Sequence, residues 1–273
     1  MRVVMPLFSF EYEDSEEFIF SGGKYSLRPF NSDNEIPQID LFSEQDKQHM
    51  QMESWALVTD EPDIDKYKQE VNILLLSFKI YKLARLFIKY RLCKDDVMLC
   101  RRINQNMEYV LAEKSPILIT FDDLKVIDMG FSNLLKMKDI SNRTYDAIYF
   151  FYRGYHSAKW IDAFIFWMSA LESLFSKDEP GAATKTICSR VSALLDSKPR
   201  CGYDNIKKLY DLRSEMVHGR IGANLDDVPE QDREKLEILH ELEYVATECM
   251  KRILDDKIYL IYSNDKQKER YFN

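Results

Sequence analysis

Short runs of apolar and alternating residues mark the start of the chain. Residues 3–10, 18–20, 25–30 and 54–59 are such runs, and the turn formers Gly22-Gly23 and Asn31-Ser32-Asp33-Asn34 lie between them. This spacing predicts a β-rich beginning. From residue 65 to residue 90 the apolar positions grow dense and neither Gly nor Pro occurs, which predicts one long, mostly buried helix. The polar residues from Lys94 to Asp96 break that segment. Residues 97–103 and 117–121 read as further short strands, and Phe121-Asp122-Asp123 opens another helix with its aspartates near the positive end.

After Asn142 only helical spacing remains. Ser141 or Asn142 caps a helix that runs to about Tyr155. Trp160, Phe164, Trp167, Met168, Leu171, Leu174 and Phe175 then recur every three or four residues, the pattern of one buried helical face. Pro180-Gly181 separates this helix from one carrying Ile187, Val191, Leu194 and Leu195, and residues 199–202 form the next break. A helix from about Tyr203 turns Ile206, Leu209, Tyr210 and Val217 inward, with Gly219 where a left-handed C-cap belongs. The last helix opens near Pro229, after Asp226-Asp227, and carries Leu236, Leu239, Leu242, Ala246, Cys249 and Ile253. The polar stretch from Ser263 is expected to fray. The resulting fold class is α+β. A mixed, β-containing region over residues 1–140, with a long helix near 65–90, precedes an all-α bundle over 141–273.

The string with chemical content is LYDLRSEMVHG at residues 209–219, where Arg213 is followed by Ser214 and, four residues later, by His218 at a helix end. It resembles the signature of the HEPN superfamily, an Arg and a His separated by a few residues with a polar residue directly after the Arg. The wording is similar to that of the ApeA-like HEPN group of bacterial defence proteins, and MSALESLF at 168–175 and ICSRVSALL at 187–195 fit the same group. The resemblance covers the chain from Asn142 to the last helix and nothing before it. It implies a helical bundle that dimerises and cuts RNA without a metal, leaving a 2′,3′-cyclic or 3′ phosphate. Arg213 and His218 would be catalytic, and the setting antiviral defence or toxin-type growth control. The region over 1–140 is then the place for a regulator or trigger to act.

The chemistry suits these residue types. Metal-free cleavage must remove the 2′-hydroxyl proton, neutralise charge on the phosphorus and protonate the leaving 5′-oxygen. Imidazole works as acid or base near neutral pH, and guanidinium offers a charged planar fork to phosphate oxygens. Spacing adds a constraint: residues five apart on a regular helix point about 140° away from each other. Either the helix loosens before Gly219, or a second copy completes the site across a two-fold axis, giving a homodimer.

Plainer readings stand beside these. Arg and His in a last turn stabilise the negative helix end by a few tenths to about 1 kcal/mol. Ser214 donates to phosphate, orients Arg213, or bonds its own backbone. Glu172 pairs with Arg213 or with Arg190 in support of the site, or lies on a solvated edge. Arg190, Arg220 and Lys185 are candidate RNA-backbone contacts, or ordinary surface charge. The Trp and Phe stripe is core, and His156 and His240 are structural or surface residues. The alternative function is a non-catalytic HEPN scaffold that dimerises or grips RNA.

Composition narrows the field further. The chain has 273 residues with 45% hydrophobic content, enough for a real core. A net charge of -8 argues against nonspecific coating of nucleic acid. Five scattered cysteines without CxxC pairs read as free thiols in a reducing compartment. Four histidines, none at helical ligand spacing from another, give no basis for a metal site, and no cofactor is implied. The short apolar N-terminus gives way at once to carboxylates, and Lys79, Lys82 and Arg85 interrupt the most apolar run. Neither a signal peptide nor a membrane span is expected, and the cytoplasm is the expected location.

Overall fold

Strands come first and helices last in the computed structural model, which describes residues 2–31, 43–60, 63–82, 86–93, 118–157, 159–177, 183–218 and 233–272. These fall into two units, the first ending at Ser132 and the second taking over at Asn133. The strand expected at 97–103, and Gly219, Arg220 and Pro229, lie outside the described residues.

In the first unit the chain runs β1 (Val3–Phe8), β2 (Glu11–Tyr12), β3 (Phe18–Ile19), β4 (Tyr25–Pro29), α1 (Glu44–Gln51), β5 (Trp55–Thr59), α2 (Ile64–Lys82), β6 (Phe87–Ile88), β7 (Leu92–Cys93), β8 (Leu118–Ile119) and the first part of α3 (Phe121–Lys138). The main sheet has the order β3-β4-β5-β1-β6, with β7 also on β1, and every pairing in it is antiparallel. β2 and β8 form a separate parallel pair. Every residue of β1 and β5 is buried, as in a sheet covered on both faces. On one face Val4, Phe8, Ala56, Val58, Tyr90 and Leu92 pack with Met50 of α1. On the other, Tyr25 donates to Glu70 of α2 at 2.9 Å and sets its ring edge-on to Phe131 of α3.

Two departures from the sequence pattern are local. The long helix expected to reach residue 90 stops at Lys82, and Phe87 and Ile88 return to pair with Phe8 and Leu7. A short apolar run serves either element, and stacking of Phe87 on Phe8 at 5.3 Å selects the strand. Leu7 pairs with Ile88 but Val3 pairs with Cys93, so the outer strand carries one extra residue, a bulge between β6 and β7. Helix α1 was not expected at all. Its sequence, EQDKQHMQ, buries only Met50 and so has no apolar periodicity. The overlooked signal is the cap, because Ser43 Oγ accepts from the Asp46 amide at 3.2 Å.

The second unit contains the end of α3, then α4 (Asn142–Tyr155), α5 (Trp160–Phe175), α6 (Ala183–Leu194), α7 (Tyr203–Val217), α8 (Arg233–Asp255) and α9 (Asp265–Phe272). Short 3₁₀ turns at Pro199–Cys201 and Ile258–Ser263 precede α7 and α9. Ser141 caps α4 with a capping box to Thr144. Helix α5 is the centre of the unit and touches α4, α6, α7 and α8. Only Asp162 on it is fully exposed. Its crossing with α4 is tight, since a β-carbon on Gly154 would stand 2.2 Å from Trp167 Nε1.

The stretch after Ser263 is not frayed. Helix α9 docks through Glu269, whose Oε2 accepts from Arg190 Nη2 at 2.5 Å, and through Phe272, edge-on to Phe175. Arg190 is 2% exposed and donates its other terminal nitrogen to the Phe175 carbonyl at 3.0 Å. Burial alone would raise the Glu269 carboxyl, but the Arg190 hydrogen bond and charge, with Lys268 and Lys177, hold it below its ordinary value.

Two tests follow from this packing. Replacing Gly154 with Ala normally favours a helix by about 1 kcal/mol. Here Gly154→Ala should destabilise by about 1–3 kcal/mol through overpacking against Trp167, read by chemical denaturation. Glu269→Gln should cost about 2–3 kcal/mol at neutral pH by leaving Arg190 without its counter-charge. Because the folded carboxyl is depressed, that difference is complete above the ordinary value of 4.5 and shrinks as pH falls below it.

Candidate functional site

Helix α7 carries the Arg-Ser…His string, and its buried stripe runs through Ile206, Leu209 and Met216. Met216, not Val217, takes the inward position expected of Val217, which is 54% exposed. The stripe steps by three and four residues from Leu209 to Arg213 to Met216, so Arg213 occupies a core-facing position on α7. Its side chain is accordingly only 28% exposed.

Arg213 turns toward α5. Its Nη2 donates to Glu172 Oε2 at 2.9 Å, and Glu172 is equally half-buried. Of the two arginines weighed as partners of Glu172, the ion pair is formed with Arg213. The buried Nε of Arg213 makes no hydrogen bond. Tyr210, one turn before Arg213, places its buried hydroxyl beside the pair without a well-formed hydrogen bond. Burial raises the Glu172 carboxyl, offset in part by the Arg213 charge and by Tyr210. Burial and the Glu172 charge push the Tyr210 hydroxyl far above its ordinary value. Tyr210 was expected only as core, and its position three residues before Arg213 was the available hint of proximity.

His218 is the C-cap of α7. Its amide still donates to the Ser214 carbonyl at 3.0 Å, so the helix does not loosen before His218. The angular separation of Arg213 and His218, about 140° on a regular helix, therefore persists. His218 is exposed, and its ring makes no hydrogen bond among the described residues. Ser214 lies one turn before it, also exposed, and does not orient Arg213. One copy of the chain thus brings Arg213 and Glu172 together and leaves His218 and Ser214 on another face.

The outlying candidates separate clearly. Lys185 is exposed on α6 and accessible to a polyanion. Arg190 is not: both terminal nitrogens are committed inside the unit, and it acts as a structural cation beneath α9. His156 closes α4, stacked on Tyr152 with Nδ1 2.9 Å from the Tyr152 carbonyl. Cys188, Cys201 and Cys249 are free and buried. Burial pushes the first two thiols up to about 11, which makes them poor nucleophiles. Among the described residues no three His, Cys, Asp or Glu side chains gather as a metal-binding group. None of the described helices is long and apolar enough to cross a membrane.

Compared with known proteins, the chain matches no family model, no curated protein and no solved structure. What is defined is a mixed chain, mostly helical, with an antiparallel N-terminal sheet and a helical C-terminal unit that carries a half-buried Arg–Glu pair.

The pair makes a pH-dependent prediction. The Glu172 carboxyl is raised on folding, so the native state holds its proton more tightly and wild-type stability falls as pH rises above the ordinary value of 4.5. Glu172→Gln removes that dependence. Its stability relative to wild type should therefore improve in thermal melts as pH rises above 4.5.

Proposed function

We propose that the C-terminal unit is a HEPN-type, metal-independent endoribonuclease acting as a homodimer. One observation supports this reading most: the motif arginine sits at a core-facing position, fixed by Glu172 through one guanidinium nitrogen, while the motif histidine stands exposed at the helix end. An arginine held in this way is preorganised to meet a phosphate with its remaining donors. An exposed imidazole is accessible to the 2′-hydroxyl or the 5′-oxygen. With α7 regular to its last residue, the second copy supplies the histidine that the first cannot turn toward its own arginine. The resemblance adds a setting, bacterial defence against phage by RNA damage.

In the reaction His218 takes the 2′-hydroxyl proton as the 2′-oxygen attacks phosphorus. Arg213 neutralises the developing charge, and the 5′-oxygen leaves with a proton returned by the His218 imidazolium, giving a 2′,3′-cyclic phosphate. The second reading, a scaffold that grips RNA without cutting it, draws weight from the same ion pair, because Glu172 already neutralises Arg213.

Labelled RNA incubated with purified protein and a chelator separates the two readings. Cleavage with cyclic-phosphate ends is expected. His218→Ala should lower the rate by about 10²–10⁴-fold with an unchanged melting temperature, since the side chain is exposed at the helix end. Full activity in that variant would remove the assignment, and a gel shift without cleavage by wild type would favour the scaffold.

A further inference from the structure

Two buried donors beside the Arg213–Glu172 pair lack acceptors. Tyr210 is 4% exposed, and its hydroxyl has no hydrogen-bond partner among the described residues. Arg213 Nε, one turn further along α7, is buried and unpartnered as well. Such orphaned donors are costly, and folded proteins keep few of them. Both belong to residues that act on one carboxylate, which accepts from Arg213 Nη2 at 2.9 Å and feels the nearby Tyr210 hydroxyl.

In this arrangement Glu172 neutralises the guanidinium that a phosphate would need. Drawing Arg213 away leaves the carboxylate half-buried without its counter-charge, and burial already disfavours its ionised form. Two neighbours favour that ionised form, the Arg213 charge and the Tyr210 hydroxyl. With the first withdrawn, Tyr210 is the group placed to take the carboxylate over. Burial and the Glu172 charge keep its hydroxyl protonated far above neutral pH, so it remains a donor. A hydroxyl that is idle in one state and bonded in the other also accounts for its lack of a partner here.

We infer that Tyr210 is a positioning residue for the arginine: as an RNA phosphate draws Arg213 off Glu172, the Tyr210 hydroxyl donates to the freed carboxylate. The inference rests on the ribonuclease reading and adds the way its arginine is released. One ion pair is exchanged for two contacts, Arg213 with phosphate and Tyr210 with Glu172, and no proton changes owner. Tyr210 touches no substrate and acts only through Glu172.

Steady-state cleavage of a short unstructured RNA by the full-length chain tests this. Tyr210→Phe removes the oxygen and keeps the ring. It should raise KM by about tenfold or more, as expected for a lost hydrogen bond to a charged group. Its kcat should stay within about twofold of the parent, because the exchange takes place on binding. Its melting temperature should hold or rise, since the buried hydroxyl removed had no partner. In the Glu172→Gln background no charged carboxylate is left behind, so adding Tyr210→Phe should change KM by less than about twofold. Unchanged KM in Tyr210→Phe, with RNA cut by the parent chain, overturns the hand-over alone. An equal rise of KM in both backgrounds overturns it too, by giving Tyr210 a role independent of Glu172. A lowered melting temperature accompanying the loss assigns the hydroxyl to the resting fold and likewise overturns it. A parent chain that does not cut RNA overturns the ribonuclease reading and the hand-over together.

Discussion

Helix α5 must hide nearly its whole circumference, and that requirement organises the helical unit. With Trp160, Phe164, Trp167, Leu171 and Phe175 all buried, no single partner can cover it. Helix α4 lies so close at Gly154 that a methyl group does not fit. Helices α6, α7 and α8 take the remaining sides, and Phe272 of α9 closes the end at Phe175. Glu172 sits at the margin of this enclosure, where burial raises its carboxyl and the Arg213 charge offsets part of that rise. The arginine that meets it comes from the inward stripe of α7, so the candidate site is a by-product of how α5 is wrapped.

Legibility followed the strength of the apolar period. Helices α4 and α5 were readable to their terminal residues because a cap and a dense three-to-four repeat mark them. The strands over residues 3–8, 18–19, 25–29 and 55–59 were readable as short apolar or alternating runs between turn residues, though their register was not. What failed did so for stated reasons. Helix α1 buries one residue, the end of α2 was obscured by an apolar run that suits either element, and the charge on α9 concealed a docked helix whose Lys268 is wholly buried. The candidate residues were legible as a motif, but their surroundings were not. No spacing rule says that Arg190 lies beneath Glu269 or that Tyr210 borders Glu172, because both depend on which helix faces which.

The electrostatics of the unit favour held charges over displayed ones. Arg190 and Arg213 are each anchored by a carboxylate, and Lys268 is enclosed among Ser176, Asp265 and Glu269. Arg153 differs in meeting the aromatic faces of Tyr149 and Phe166 instead.

The pairing of Arg190 with Glu269 joins residues 79 positions apart in the chain. During translation the arginine is made first and waits, at about 5–20 residues per second, for several seconds before its counter-ion exists. Through that interval the helices around α5 lack the segment that seals them, so the unit reaches its final form only after residue 272 has cleared the ribosome.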